Sequence, residues 1–378
     1  MQIYLDNAAT TPMDPAVIQV MIETMQQEFG NPSSIHAHGR RVKTLIEKAR
    51  KTIAGLINAA PAEVFFTSGG TEADNFAIVR AVESYGIAHI ITSPLEHHAV
   101  LHTVEALEKE GKVHVHYVKV DKQGHLELTH LEELLSTNAR ALVSLMHGNN
   151  EIGTLNDIER IGELCETYGA LFHSDTVQTM GHFVHDMQHL KAHFITGAAH
   201  KFHGPKGVGF LFVRQSTKIQ PLIYGGAQER NMRGGTENVY GIVGLAKALE
   251  MAYATMESDR NYIQGLKSYM IDRLTSEIPG VEFNGDIAPD KSLYTVLNAS
   301  FPCTELADML LFSLDIEGIC VSGGSACSSG SNIGSHVLTA INAPSERPSV
   351  RFSFSKFNTK EEIDTVVAKL KEICLEHA

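Results

Sequence analysis

A lysine, an aspartate, a pair of glycines and a cysteine in a small-residue run are the groups in this chain best placed to do chemistry. Each lies at a junction between elements. Lys201 falls in Gly197-Ala-Ala-His-Lys-Phe-His-Gly-Pro-Lys-Gly207, after apolar Phe194 and Ile195 and before a Gly-Pro turn. An amine there could hold an aldehyde as an imine, which requires it to be neutral part of the time. Neighbouring cations lower an amine's pKa, and His200, His203 and Lys206 would supply that setting. The bland alternative is a surface lysine whose stem lies on apolar surface with its head in water. Asp175 ends the apolar run that begins at Ala170. Ligands in open α/β sheets sit beyond the carboxyl ends of strands, and a carboxylate there could keep a pyridine nitrogen protonated. Gln178, one helical turn on, could donate to a phenolate oxygen. Asp175 could equally be the N-cap of the next segment.

Ser68-Gly-Gly-Thr71 lies between an expected strand and an expected helix. Small residues let backbone N–H groups approach an anion, and a helix N-terminus favours negative charge. A plain strand-to-helix turn with Thr71 as N-cap reads the same way. The Gly-Lys-Ser/Thr ending of a Walker loop is missing. His97, in Leu95-Glu-His-His-Ala99, could stack on a flat ring and move protons. His97 and His98 are adjacent and do not share a helix face, so no metal site is expected from them. Cys327 lies in Ser322-Gly-Gly-Ser-Ala-Cys-Ser-Ser-Gly-Ser331, where a thiol would be available as a nucleophile or simply exposed. The Arg351 guanidinium suits a carboxylate substrate bidentately, or else forms a structural ion pair. A lysine to carry an aldehyde, an acid for a pyridine nitrogen and a phosphate cradle together point to pyridoxal 5′-phosphate (PLP).

The elements that must position these groups alternate along the chain. Val64–Thr67, 87–92, 113–120, 141–146, 170–174, 194–196 and 208–213 read as strands, with helices between several of them, notably Ile158–Tyr168. One helix opens at Thr71 and stops at Gly86. This alternation predicts an α/β domain with a mostly parallel sheet flanked by helices. A long helical pattern from Val239 through about Tyr262 leads into a second, smaller α+β region. There 296–301, 318–321 and 349–355 read as strands, and 305–313 and 361–376 as helices. The expected division is 15–257 for the large domain, and 1–14 with 258–378 for the small one carrying the Cys327 loop. The turn-rich start, Asp6-Asn-Ala-Ala-Thr-Thr-Pro12, is expected to fold back over the small domain or the site.

Composition fits a soluble enzyme: 378 residues, 43% hydrophobic and 20% charged. A formal net charge of −13 argues against nucleic acid or an anionic membrane as the main partner. No apolar run has the length of a membrane span, and Met-Gln-Ile-Tyr-Leu-Asp lacks signal-peptide features, so a cytoplasmic protein is expected. Five scattered cysteines without a Cys-x-x-Cys pair fit free thiols in a reducing compartment. Cys165, Cys320 and Cys374 read as small buried hydrophobes, while Cys303 has no clear place.

Together the motifs resemble a known family. Thr67-Ser-Gly-Gly-Thr-Glu-Ala-Asp-Asn75, Glu96-His97, Asn149-Asn-Glu-Ile-Gly153, His200-Lys201 with Gly204-Pro-Lys-Gly207, Arg233-Gly-Gly-Thr-Glu237 and Gly324-Ser-Ala-Cys327 are similar to the cysteine desulfurases of the NifS/IscS type. The likeness runs from Tyr4-Leu-Asp6 to Arg351-Phe-Ser353. It implies a fold type I PLP homodimer of the class-V aminotransferase family. Lys201 would carry the cofactor, with Asp175 on its ring nitrogen, Gln178 on its ring oxygen and His97 stacked on the ring. Gly70, Thr71 and His200 would hold the phosphate, and Thr236 the phosphate of the neighbouring subunit. Asn150 would border the cofactor and, with Arg351, bind the substrate carboxylate. L-Cysteine would yield L-alanine, and Cys327 would take the sulfur as a persulfide for an acceptor such as an iron–sulfur scaffold or a tRNA-thiolation or cofactor-synthesis partner. A selenocysteine lyase or another class-V aminotransferase is the alternative, although a transaminase has no use for the Cys327 thiol. A catalytically inert adaptor would not need these groups together. Two departures stand out: Ala198 replaces a serine common in the family, with Thr196 or water expected to cover for it, and the stretch from Cys327 to Arg351 is shorter than in many relatives.

Overall fold

The computed structural model describes residues 2–303, 309–323 and 334–376. In chain order the first part comprises β1 (Ile3–Tyr4), α1 (Pro15–Gln27), α2 (Ala37–Leu56), β2 (Val64–Thr67), α3 (Gly70–Tyr85), β3 (His89–Thr92), α4 (His98–Lys109), β4 (His114–Tyr117) and α5 (Leu128–Thr137). There follow β5 (Ala141–Ser144), α6 (Ile158–Tyr168), β6 (Leu171–Asp175), β7 (Phe194–Ala198), β8 (Gly209–Val213) and α7 (Val239–Glu277). The rest is β9 (Glu282–Asn284), β10 (Val296–Ser300), α8 (Leu310–Ile316), β11 (Ile319–Cys320), α9 (His336–Ala340), β12 (Ser349–Ser353) and α10 (Lys360–Glu376).

Seven strands form the central sheet in the order β2-β8-β7-β6-β5-β3-β4. All neighbours run parallel except β8, which is antiparallel to β2 and β7. β5, β7 and β8 are buried along their whole length, as strands covered on both faces must be. Their sequences are accordingly continuous apolar or small runs with no polar alternation. One face packs against α2 through Val42, Ile46, Ala49 and Ile53, and against α7 through Ile242, Leu245 and Leu249. The other packs against α3 and α4 through Ala73, Ala77, Ala81, Val100 and Val104. The helix ends follow local chemistry. The Asp157 side chain accepts from Arg160 N to cap α6, and Gly86 ends α3 in the left-handed conformation at φ 58°.

α7 runs unbroken for 39 residues. Its first half belongs to the large core, while Ile263, Leu266, Met270 and Leu274 pack in a second core with β10, β12 and α10. That core supports an antiparallel sheet, β12-β10-β9, and the parallel pair β1-β11. The turn-rich start does fold back: β1 pairs with β11 and Asp6 bridges to Ser353. The edge strand β4 is shorter than its alternating sequence implied, at four residues. The helix expected at 305–313 begins, within the described residues, at Leu310. Cys320 is only half-buried, a correction to its reading as a core residue, because it lies in a two-residue strand at the rim of the small sheet. No helix among the described residues is long and apolar enough to cross a membrane.

Candidate active site

β6 and β7 are parallel neighbours, so their carboxyl ends emerge side by side at one edge of the sheet. β6 delivers Asp175. β7 ends at Ala198 and passes into a single tight turn, Ala199–Lys201. α3 begins next to them, where an added Cβ on Gly70 would meet Val177 Cγ2 at 2.8 Å, with Ala198 Cβ at 3.8 Å. Only glycine allows the backbone this close to the strand ends. The result is a cavity of about 240 Å³ lined by, among others, Gly70, Thr71, His97, Asn150, Asp175, Gln178, His200, Lys201 and Arg351. The N-terminal segment closes one side through Ala8 and Ala9. It is tied down where Thr11 N and Thr11 Oγ1 both donate to the His200 carbonyl, each at 2.9 Å.

The polar groups are held in specific ways. Lys201 Nζ donates to the Ala8 carbonyl at 2.5 Å and the Ala9 carbonyl at 3.0 Å. Gln178 Nε2 shares the Ala8 carbonyl at 3.0 Å. Asp175 Oδ1 accepts from Val177 N at 2.9 Å, and burial, with the nearby Asp74 carboxylate, pushes the acid up to about 7. His97 Nδ1 accepts from Ala99 N at 3.1 Å, which leaves the proton of the neutral ring on Nε2. Burial and then the Lys201 charge push His97 down to about 4, so the ring is neutral at physiological pH. The same two causes act in the same order on His200, also lowered to about 4. Its Nδ1 lies 3.2 Å from Thr10 Oγ1. Arg351 is fully buried and already engaged: Nη2 meets Asp6 Oδ1 at 2.8 Å and Nη1 donates to the Asn150 carbonyl at 2.9 Å. Arg351 thus forms an ion pair with Asp6 and also borders the cavity.

Two further acids crowd this region. Asp74 lines the cavity, is fully buried and is raised to about 7 by burial. Its Oδ1 lies 3.3 Å from His173 Nε2. Glu96 is raised well above the usual range by burial; its Oε1 accepts from Met146 N at 2.8 Å and its Oε2 is buried without a hydrogen bond. Sequence reading had Asp74 only as one member of the Thr67–Asn75 motif. The missed signal was its neighbourhood, because Ala73, Asp74, Ala77, Ile78 and Ala81 form one buried stripe and an acid within it must face something polar. Ala8 and Ala9 offered no signal at all, since they reach the site only through tertiary contact.

One expected residue among those described is not gathered into this cavity. Thr236 is exposed and borders a separate hollow with Ser68, Glu229 and Arg233. Cys327 lies outside the described residues. Thr196 does not cover for the missing serine at Ala198: it is fully buried, with Oγ1 3.3 Å from His173 Nε2 on the Asp74 side. Thr196 shares a strand face with Ala198, but its Cγ2 is turned toward Gly70 and its Oγ1 toward His173.

A mostly parallel sheet with an acid at one strand end, a lysine just beyond the next and a glycine-led helix N-terminus between them defines a fold type I PLP enzyme. The Aminotransferase class-V family pattern matches residues 3–366. The cysteine desulfurase IscS of Dictyoglomus turgidum is 44% identical over 98% of this chain and 94% of its own. Among solved structures, a NifS-like protein superposes with a TM-score of 0.90 at 36% identity, covering 100% of both chains. SspA in complex with cysteine superposes at 0.81, with 31% identity over 95% of this chain and 100% of that one. The chain belongs to the class-V aminotransferase family, and within it to the cysteine desulfurases of the NifS/IscS type.

The family's enzymes depend on PLP, and the residues here fit that group. The first turn of α3 leaves backbone N–H groups without intrahelical partners at the Gly70 cradle, as a phosphate requires. At the other end, a buried carboxylate lines the cavity with its pKa raised by burial, which a ring N–H cation would relieve.

Proposed function

We propose that this cysteine desulfurase converts L-cysteine to L-alanine in the cavity around Lys201, with the sulfur passing to Cys327 as a persulfide. The supporting observation is that Lys201, Asp175, His97, Gln178, Asn150 and Arg351 border one cavity with Gly70 and Thr71 at its glycine-led end. PLP, when bound, draws electrons from the α-carbon of the amino acid. Gly70, Thr71 and His200 would hold its phosphate, Asp175 would keep the proton on its ring nitrogen, and Gln178 would donate to its ring oxygen. Lys201 would anchor the cofactor through Nζ, and the same atom would hold the α-proton taken from the substrate. His97, neutral and with its proton on Nε2, covers the ring and can give or take a proton. Asn150 borders the cofactor and, with Arg351, orients the substrate carboxylate. Burial of the guanidinium excludes water from that contact and strengthens it.

In the sulfur step the Cys327 thiolate attacks the substrate sulfur, an S–S bond forms and the carbon–sulfur bond breaks. The carbon gains a proton and leaves as alanine. The persulfide is then available to an acceptor protein such as an iron–sulfur scaffold. The enzyme works as a cytoplasmic homodimer in which Thr236, exposed on its own subunit, reaches the phosphate of the neighbouring one. The division into 15–257, and 1–14 with 258–378, follows the change of core along α7.

Purified protein is expected to be yellow. Borohydride reduction followed by peptide mapping should leave the cofactor mass on the Lys201 peptide, and Lys201→Ala should lose it. Cys327→Ser should still bind cysteine, seen as a change in the visible spectrum, while sulfide release under reductant falls by about 100-fold or more. Full sulfide release by Cys327→Ser overturns the sulfur-transfer role.

A further inference from the structure

Two of the cysteines have no part in the chemistry above, yet they lie against each other. Cys303 Sγ and Cys374 Sγ are 2.9 Å apart, against about 2.05 Å for a bonded pair. Cys303 follows β10 and Cys374 lies near the end of α10. Both are at most 2% exposed in the small core, among Phe301, Leu310 and Leu370. Neither lines the PLP cavity.

Burial alone does not account for this pair. Cys165 is the ordinary case in this molecule: buried among apolar groups, its thiol is pushed up by burial and has the character of a small hydrophobe. Cys303 is the opposite case. The Cys374 S–H beside it and the charge of Arg347 favour its thiolate and lower its pKa, while Cys374 is raised by the same contact. The two sulfurs meet in one contact in which either can donate, at an approach that needs little movement to bond.

We infer that Cys303 and Cys374 are a dithiol site oxidised by hydroperoxides, whose disulfide closes the chain segment carrying Cys327 and Arg351 into a loop. The Cys303 thiolate attacks one peroxide oxygen, the O–O bond breaks, and a sulfenic acid forms with loss of water or alcohol. Cys374 sulfur then displaces hydroxide from the Cys303 sulfur. The S–S bond forms, and the Cys374 proton leaves with the hydroxide as water. Two thiols lose two electrons and the peroxide gains them. The neighbouring thiol diverts Cys303 from the irreversible sulfinic acid. The cross-link joins residues 71 apart in sequence, so it constrains the unfolded chain strongly.

The test uses the holoenzyme. Accessible thiols are first blocked with iodoacetamide under native conditions, and the protein is then treated with hydrogen peroxide, quenched with catalase, denatured and alkylated. A glutamate-specific protease separates the sites, because Glu305 and Glu317 lie between Cys303 and Cys320, and Glu372 precedes Cys374. The expected result is a cross-linked 303–374 peptide pair, two hydrogen masses below the sum of its parts and split by dithiothreitol. The apparent Tm of the oxidised protein should rise by about 5 °C. Cys374→Ser should abolish both effects, and Cys374→Ala, which keeps the site apolar, serves if the serine variant fails to fold. Recovery of both cysteines as free thiols, as separate sulfinic acids, or cross-linked to other cysteines overturns the inference.

Discussion

In the proposed PLP site, the two ends of the cavity are built by opposite physical means. At the phosphate end, the site is backbone. Gly70 brings the start of α3 against Val177 and Ala198, and the helix terminus supplies oriented N–H groups without any formal charge. At the ring end, the site is buried charge. Asp175, Asp74 and Glu96 all have raised pKa values because burial disfavours their ionised forms. The first end asks only for absent side chains and costs the fold little. The second holds acids that the apo protein would sooner keep protonated. Function at the ring end is therefore set against stability, whereas at the phosphate end the two agree.

That contrast breaks first at Asp175. Asp175→Asn should cut turnover by about 1000-fold while leaving PLP bound, because the amide cannot stabilise a protonated ring nitrogen. Turnover within tenfold of the parent, by alanine formation, would remove the ring end from the comparison. The same variant should stabilise the apo protein at pH 8. The folded carboxyl titrates near 7 against an unfolded value of 3.8, so the folded form binds more protons between those values, and the ionised group's destabilisation grows as pH rises through that window. Denaturant unfolding of the apo form should show a gain of roughly 2–4 kcal/mol at pH 8, shrinking towards zero by pH 4. A gain independent of pH would mean that the acid's charge is not the cause.

At the phosphate end the expected effects are smaller. Gly70→Ala should weaken PLP binding by about 10- to 30-fold, measured by dialysis or fluorescence titration, since its Cβ must displace Val177. Ala198→Ser sharpens the picture from the other side. Ala198 borders the cavity and Thr196 points to His173, so a hydroxyl at 198 should add a phosphate contact and tighten PLP by about 3- to 10-fold. Unchanged affinity would show that the backbone cradle already satisfies the phosphate.

The two ends also differed in how far they could be read beforehand. Ser68-Gly-Gly-Thr71 was legible because a strand, a glycine turn and a helix start are local events. Asp175 was legible because a strand end in an open α/β sheet is a ligand position by topology. The acids around it were not, since Asp74 and Glu96 meet Asp175 only when separate segments pack. Thr196 misled for a related reason: sequence places it two residues from Ala198 on one face of β7, whereas packing turns its hydroxyl to His173. In the small lobe, Cys303 had no legible place because its partner is 71 residues away on the last helix.

By itself the sequence determined the α/β alternation, the family and most of the groups that border the cavity, because local patterns of apolar period, glycine turns and strand ends carry that information. Only the tertiary structure decided that Ala8 and Ala9 wall the cavity, that Arg351 is already paired with Asp6, that Thr236 is exposed away from the cavity and that two distant thiols touch. Those facts depend on which segments share a core, and burial, the term that moves the pKa values here, is a property of packed neighbours that no single stretch of chain encodes.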